Sequence, residues 1–339
     1  MRHKFDKSLF THRTGGELPA VVVAQDENLQ SKFIVQKILE LREQGVALSD
    51  CAVLFRSSYL SFDLEIDLTK ANIPFVKFGG FKFIETAHIK DIVAYLRVVE
   101  NPRDAVAWNR ILLLVDGVGP RTAEKVIDDV MTRRSSSRSD LPAFWGEYNA
   151  YPESVKSLFE TLREASSDKY APADKVQKIL AYYSPLFTRR YDDFNKRRKD
   201  LEMFQQITER YRSVGTLLAD LTLEPATESV TDITPPGTDD EKLVLSTIHS
   251  AKGLEWHSVF VMYALEGRFP NMRAAMNEEA MEEERRLMYV ACTRAKENLF
   301  ITYPVNVYDR ESGMLLSKPS RFIANMPEKL LDAWVVDGE

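Results

Sequence analysis

At 339 residues with 44% apolar side chains, the chain is long enough to fill the cores of two domains. Its 45 Lys/Arg against 51 Asp/Glu leave a formal charge of -6, which excludes a protein that coats nucleic acid indiscriminately. The two cysteines, Cys51 and Cys292, stand far apart in apolar contexts, which excludes a disulfide framework and a CxxC metal pair, and no apolar stretch reaches the roughly 18 residues of a membrane span.

The first residues, MRHKFDKSLF, lack the apolar core of a secretion signal, so a soluble protein of the reducing cytoplasm is expected. AVVVA (Ala20 to Ala24) reads as a strand, NLQSKFIVQKILELREQG as a helix and AVLFR (Ala52 to Arg56) as a second strand. A helix from about Tyr59 to Ala71 and a strand at PFVKF follow. Short β-branched runs alternating with helical periodicity predict an α/β fold with a doubly wound parallel sheet. The paired glycines of FGGFKF mark a tight turn, and AHIKDIVAYLRVVEN reads as an amphipathic helix ending at Asn101-Pro102.

From there to about Asp240 the strand signal disappears and helical periodicity dominates, predicting an all-helical domain inserted into the α/β domain. This middle is mildly basic, with 20 Lys/Arg against 17 Asp/Glu from Asn101 to Arg212, whereas Asp220 to Lys242 holds 7 acids and 1 base. RRSSSRSD (Arg133 to Asp140) reads as a flexible loop and TESVTDITPPGTDDE (Thr227 to Glu241) as the exit linker. The βα pattern then resumes: KLVLSTI, SVFVMYA and NLFITYP as strands, and MEEERRLMYVACTRAKE as a helix. The expected divisions are 1–101 for the first part of the α/β domain, 102–241 for the helical insertion and 242–339 for the remainder.

Three stretches carry chemistry. In ILLLVDGVGPRTAEKVI, two helices joined by Gly117-Val118-Gly119-Pro120 match a helix-hairpin-helix. Its glycines let the backbone approach a phosphate, while the second helix offers free N-H groups, its positive dipole end, Arg121 and Lys125. Such a device grips a DNA backbone without reading sequence; a plain helix pair with a glycine cap and a proline start is the structural alternative. In STIHSAKGLEW, Thr247, His249 and Ser250 follow a buried strand, at the edge where open α/β sheets bind ligands. On its own, this stretch also fits a plain turn. In MEEERRLMYVACTRAKENL, Leu287, Val290 and Ala291 seat a helix on the sheet, and Arg294 stands at its last turn. From there an arginine can reach the charge developing on a transferred phosphoryl group, or form a surface salt bridge with Glu297 or Glu284.

In this order the pieces resemble the carboxyl-terminal half of a superfamily 1 DNA helicase of the UvrD/Rep/PcrA type. AVLFRSS, ANIPFVKFGGFKF and IKDIVAYLRVVENPRD resemble the start of that family's second RecA-like domain, LSTIHSAKGLEW its motif V and EEERRLMYVACTRAKENL its motif VI. The resemblance implies a RecA-like fold interrupted by a duplex-contacting helical subdomain. It also implies roles for matching residues: Arg294 as the arginine finger on the γ-phosphate of ATP, Glu255 as the carboxylate at the nucleotide sugar, and Gly253 as the close-approach turn. Thr247, His249 and Ser250 would line the single-stranded DNA track with Arg56 near it, and Tyr308 falls near the family's base-stacking aromatic.

The phosphate loop GxxxxGK[ST] occurs nowhere in the chain, and the DExx box is also absent. By the resemblance these belong to an N-terminal RecA-like domain, the expected partner that holds most of the ATP and its Mg2+. The sequence is accordingly expected to be an excised part of a longer ATP-dependent 3′-5′ helicase, inactive alone as an ATPase. It is expected to bind single-stranded DNA and the duplex junction, with no metal site of its own and no membrane contact. A non-catalytic DNA-binding or regulatory module is the alternative, and the RecB/AddA helicase-nucleases share these motifs.

Overall fold

The computed structural model describes residues 17–79, 83–132, 151–222, 241–309 and 312–336. Two compact units divide the chain, Met1–Lys82 with Glu224–Glu339, and Phe83–Leu223. RRSSSRSD and nearly all of TESVTDITPPGTDDE lie outside the described residues.

The first unit is built on a seven-stranded sheet. Its strands are β1 (Ala20–Ala24), β2 (Cys51–Phe55), β3 (Phe75–Phe78), β4 (Leu243–Thr247), β5 (Trp256–Val261), β6 (Ala295–Pro304) and β9 (Asp332–Val336), in the order β3-β4-β2-β5-β6-β1-β9. All six pairings are parallel. The interior strand β2, CAVLF, is buried throughout, as expected of a strand covered on both faces. Because side chains alternate, Val53 and Phe55 point to one face with Leu245, Phe260 and Phe300, packed under Ile34, Ile38 and Leu41 of α1 (Glu27–Glu43) and Leu64 and Leu68 of α2 (Phe62–Lys70). Ala52 and Leu54 point to the other with Val259, Val261 and Ile301, under Leu287, Met288 and Ala291. Each of the Val, Leu, Ile, Phe and Met side chains among them contributes roughly 1.5–3 kcal/mol on burial. This is an α/β, RecA-like architecture.

The carboxyl-terminal strand β9 is absent from the sequence expectation: DAWVV is short, carries one acid at its start, and earns its place only by pairing with β1 across most of the chain. A small antiparallel hairpin of β7 (Val307–Asp309) and β8 (Met314–Leu316) was likewise not anticipated.

The second unit is helical. Its elements are α3 (Ala87–Glu100), α4 (Ala105–Leu112), α5 (Pro120–Thr132), α6 (Glu153–Ala165), α7 (Pro172–Arg190), α8 (Phe194–Thr208) and α9 (Val214–Thr222). Helix α3, which the sequence grouped with the preceding strands, lies in this unit. Its residues His88, Ile89, Asp91, Ile92, Ala94, Tyr95, Leu96, Val98 and Val99 are all buried, so it is the centre of the helical core and not a surface helix. The acid among them is paired, Asp91 accepting from Arg110 Nε at 2.7 Å and Tyr183 Oη at 2.6 Å, whereas Tyr95 Oη has no hydrogen-bond partner among the described residues. His88 lies between Asp200 (2.8 Å) and Arg197 (3.3 Å). Since Arg197 can only donate, His88 Nδ1 is the acceptor and Nε2-H the donor to Asp200.

Candidate functional site

Strand register sorts the candidate residues of the sheet unit onto two opposite edges. Phe55 pairs with Thr247 and Phe78 with Ser246, so Arg56, Gly79 and the turn after Thr247 emerge together at the carboxyl edge. Trp256 pairs with Ala295, so Glu255 and Arg294 stand at the amino edge. The five steps of β5 from Trp256 to Val261 put about 17 Å between the edges. Residues 248–255 must cover that distance, and an eight-residue helix would advance only about 12 Å. The return is therefore a succession of turns, with Gly253 in the left-handed region at φ +90°.

At the carboxyl edge, Thr247 Oγ1 donates to Ser250 Oγ at 3.0 Å and accepts from Ser250 N at 3.4 Å, so the two hydroxyls define one turn. Gly79, with φ +80°, closes over them: a Cβ there would stand 2.3 Å from Thr247 Oγ1 and 2.6 Å from Ser250 Oγ. Arg56 donates from Nε and Nη2 to Oε1 of Glu284 (2.9 and 2.7 Å), and Asn271 Nδ2 donates to the same oxygen at 2.8 Å. Glu284 is buried, and its Oε2 has no hydrogen-bond partner among the described residues. His249 lies in this field: burial, and then the charge of Arg56, hold its pKa below the ordinary 6.5. It is an exposed neutral imidazole at neutral pH, beside Thr247, Ser250 and a paired guanidinium.

Helix α10 (Glu278–Cys292) starts from the carboxyl edge and ends at the other. It begins earlier and stops earlier than the sequence suggests, because Asn277 caps it through Glu279 N and Ala280 N, and residues 295–297 already belong to β6. Arg294 is thus beyond the helix, not in its last turn. It donates from Nε to Val290 O (3.1 Å), from Nη1 to Leu254 O (2.6 Å) and from Nη2 to Thr293 Oγ1 (3.0 Å). Among the described residues it forms no ion pair; Glu284 is committed to Arg56 at the opposite edge. Its backbone O accepts from Trp256 N at 2.9 Å. Motif V and the end of motif VI are therefore stitched together, and the exposed Glu255 beside them pairs with Lys296 at 3.1 Å.

In the helical unit, α4 and α5 form the anticipated hairpin. Gly117 needs its freedom, with φ +77°, whereas Gly119 has no positive φ and its O accepts from Ala123 N at 2.9 Å, making it the cap before Pro120. A Cβ on either would meet nothing within 4 Å. Gly117, Gly119, Arg121 and Lys125 are all exposed, so the start of α5 is open to a ligand. Tyr308, on β7, is exposed and opposite Leu315. Sequence reasoning missed Gly79 and Glu284; the paired glycines of FGGF and the acidic run EEE were their only signals.

The family model describing the UvrD-like helicase C-terminal domain matches residues 1–306. The chain belongs to that family. It is 31% identical over 347 residues to the ATP-dependent DNA helicase PcrA of Staphylococcus epidermidis, covering 96% of this chain and 46% of that protein. The corresponding PcrA of Staphylococcus aureus is 30% identical over 346 residues, with the same coverage. This UvrD-like chain thus spans about half the length of the curated relatives it matches. No helix among its described residues is long and apolar enough to cross a membrane. Cys51 and Cys292 are pushed up to about 12 and about 11 by burial, so neither thiol is a nucleophile at neutral pH.

Proposed function

We propose that this UvrD-like chain is the second motor domain of a cytoplasmic, ATP-driven DNA helicase that moves 3′ to 5′, working against an N-terminal RecA-like domain that binds most of the ATP. The observation that carries this function is the position of Arg294: a guanidinium held by three hydrogen bonds yet, among the described residues, free of any carboxylate, at the sheet edge shared with Gly253 and Glu255. A cation fixed in that way keeps its charge available for a phosphoryl group and needs little reorganisation to reach it. When bound, ATP would supply the phosphoryl group and its Mg2+. By the family resemblance the metal and most of the nucleotide would be held by the N-terminal domain, and the residues of this chain would meet the outer side of the nucleotide. Glu255 would meet the sugar, with Gly253 leaving open space beside it.

At the opposite edge Thr247, Ser250 and His249 would take the phosphates and sugars of single-stranded DNA, with Arg56 adding charge and Tyr308 a base-stacking face. The helical unit would be the insertion that grips duplex phosphates through Gly117, Gly119, Arg121 and Lys125. Closure of the cleft around ATP would then move the DNA edge as one body with Arg294, since α10 ties both. The test is Arg294→Ala in the full-length protein. An arginine finger is worth roughly 10³ to 10⁵ in rate, so DNA-stimulated ATP hydrolysis should fall by that order while the melting temperature stays put. Hydrolysis at the parental rate would reject the assignment.

A further inference from the structure

A groove of about 560 Å³ runs between α3 and α4 of the helical unit, away from Gly117 and Gly119, which do not line it. One wall, α3, presents Lys90 and Arg97; the other presents Val106 of α4 and Leu113, the residue that caps it, with Arg110 between them and Arg190 of α7 at the rim. Lys90 and Arg97 are seven residues apart, as are Val106 and Leu113, so each pair spans about 10.5 Å along its helix. Val106 is 73% exposed and Leu113 40%. Arg97 is paired with Asp104 at 2.7 Å and Arg110 with Asp91 at 2.6 Å. Lys90 and Arg190 form no ion pair among the described residues, so the groove carries surplus positive charge on one side and exposed aliphatic side chains on the other.

We infer that this groove is a docking site for an acidic amphipathic helix of a partner protein. A helix laid along it would seat apolar residues at i, i+4 and i+7 against Val106 and Leu113, matching their spacing. Its acidic flank would face Lys90 and Arg190, where opposite charge favours encounter and register. A phosphate backbone uses the cations but gains nothing from two water-exposed aliphatic side chains, whereas a protein interface combines an apolar centre with a charged rim. The paired arginines also fit: Arg97 and Arg110 are held in place by their carboxylates, so they frame the groove without the entropy cost of ordering free side chains on binding.

The experiment uses the whole chain and fluorescence anisotropy. The probe is a labelled, Ala-based helical peptide of about 18 residues with Leu at i, i+4 and i+7 and Glu along one flank; controls are the same peptide with Lys for Glu, and a tailed DNA duplex. The expected result is salt-sensitive binding of the Glu peptide and none of the Lys peptide. It should weaken at least tenfold in Lys90→Glu/Arg190→Glu and separately in Val106→Asp. These side chains are at the surface, so the helical circular dichroism and melting temperature of the variants should match the parent. Duplex affinity should be the same in all of them. The inference is overturned if the Glu peptide does not bind, if it binds equally to the variants, or if the duplex displaces it and loses affinity through the same substitutions, which would make the groove a DNA surface.

Discussion

Gly79 and His249 show what single residues decide at the carboxyl edge. Gly79→Ala has two costs at once: a left-handed φ of +80° and a Cβ 2.3 Å from Thr247 Oγ1. Strained backbone of this kind costs about 1–3 kcal/mol, so urea unfolding should show a loss in that range. Affinity for single-stranded DNA should fall as well, because the Thr247 and Ser250 hydroxyls are pushed out of their turn. For His249 the neutral form is favoured in the fold. Its contribution to stability is therefore present above the unfolded value of 6.5 and is lost as pH falls through the lowered folded value. Phosphates of DNA bound at the proposed site would reverse the preference. In anisotropy titrations, affinity for single-stranded DNA should rise as pH is lowered below 6.5, a rise that His249→Gln lacks. Thr247, His249 and Ser250 were legible in the sequence because they are consecutive or nearly so. Gly79 and Glu284 were not, since β3 meets β4, and α10 meets the end of β2, only through the sheet topology.

Among the elements, β3 illustrates a cost that periodicity cannot reveal. PFVKF was read as a strand on its apolar residues, yet its lysine is fully buried: Lys77 Nζ donates to Glu65 Oε1 at 2.6 Å and to Ser58 O at 3.2 Å, and lies 4.6 Å from the Phe62 ring centroid. The pair ties β3 to α2 and to the turn after Arg56. Breaking a buried pair leaves an uncompensated charge, so Lys77→Met should destabilise by about 3–5 kcal/mol. Removing both charges in Lys77→Met/Glu65→Leu should restore much of the loss, a non-additivity that chemical denaturation can measure. The α4–α5 helix pair was legible because Gly-Val-Gly-Pro is local. Here the two glycines separate cleanly: Gly119→Asn adds bulk in open space at a cap position that suits asparagine, without a strained φ, so it should lower duplex affinity with no loss of melting temperature. Gly117→Ala should cost stability through its backbone alone. Helix α3, in contrast, could not be assigned to its unit from its own pattern, since burial around most of its circumference depends on α4 and α6 to α9.

At the scale of the molecule, the parallel sheet separates the two proposed sites by about 17 Å along the strands, and two short segments join them. Residues 248–255 run from the hydroxyls at one edge to Glu255 at the other, and α10 runs from Glu284 to the residues just before Arg294. The parallel βα pattern made the sheet legible in the sequence. The opposition of the two sites was hidden, because Thr247 and Glu255 are neighbours in the chain and only register shows that they face away from each other. That opposition makes a sharp prediction for the chain as it stands. Among the described residues Arg294 hydrogen-bonds to Val290, Leu254 and Thr293 and to none of the residues proposed to meet DNA, so Arg294→Ala should leave its binding isotherm for single-stranded DNA unchanged. Thr247→Ala/Ser250→Ala should weaken binding severalfold in the same assay. If Arg294→Ala weakened binding as much, the two edges would not be separate sites, and the arginine would have to be reassigned to the DNA surface.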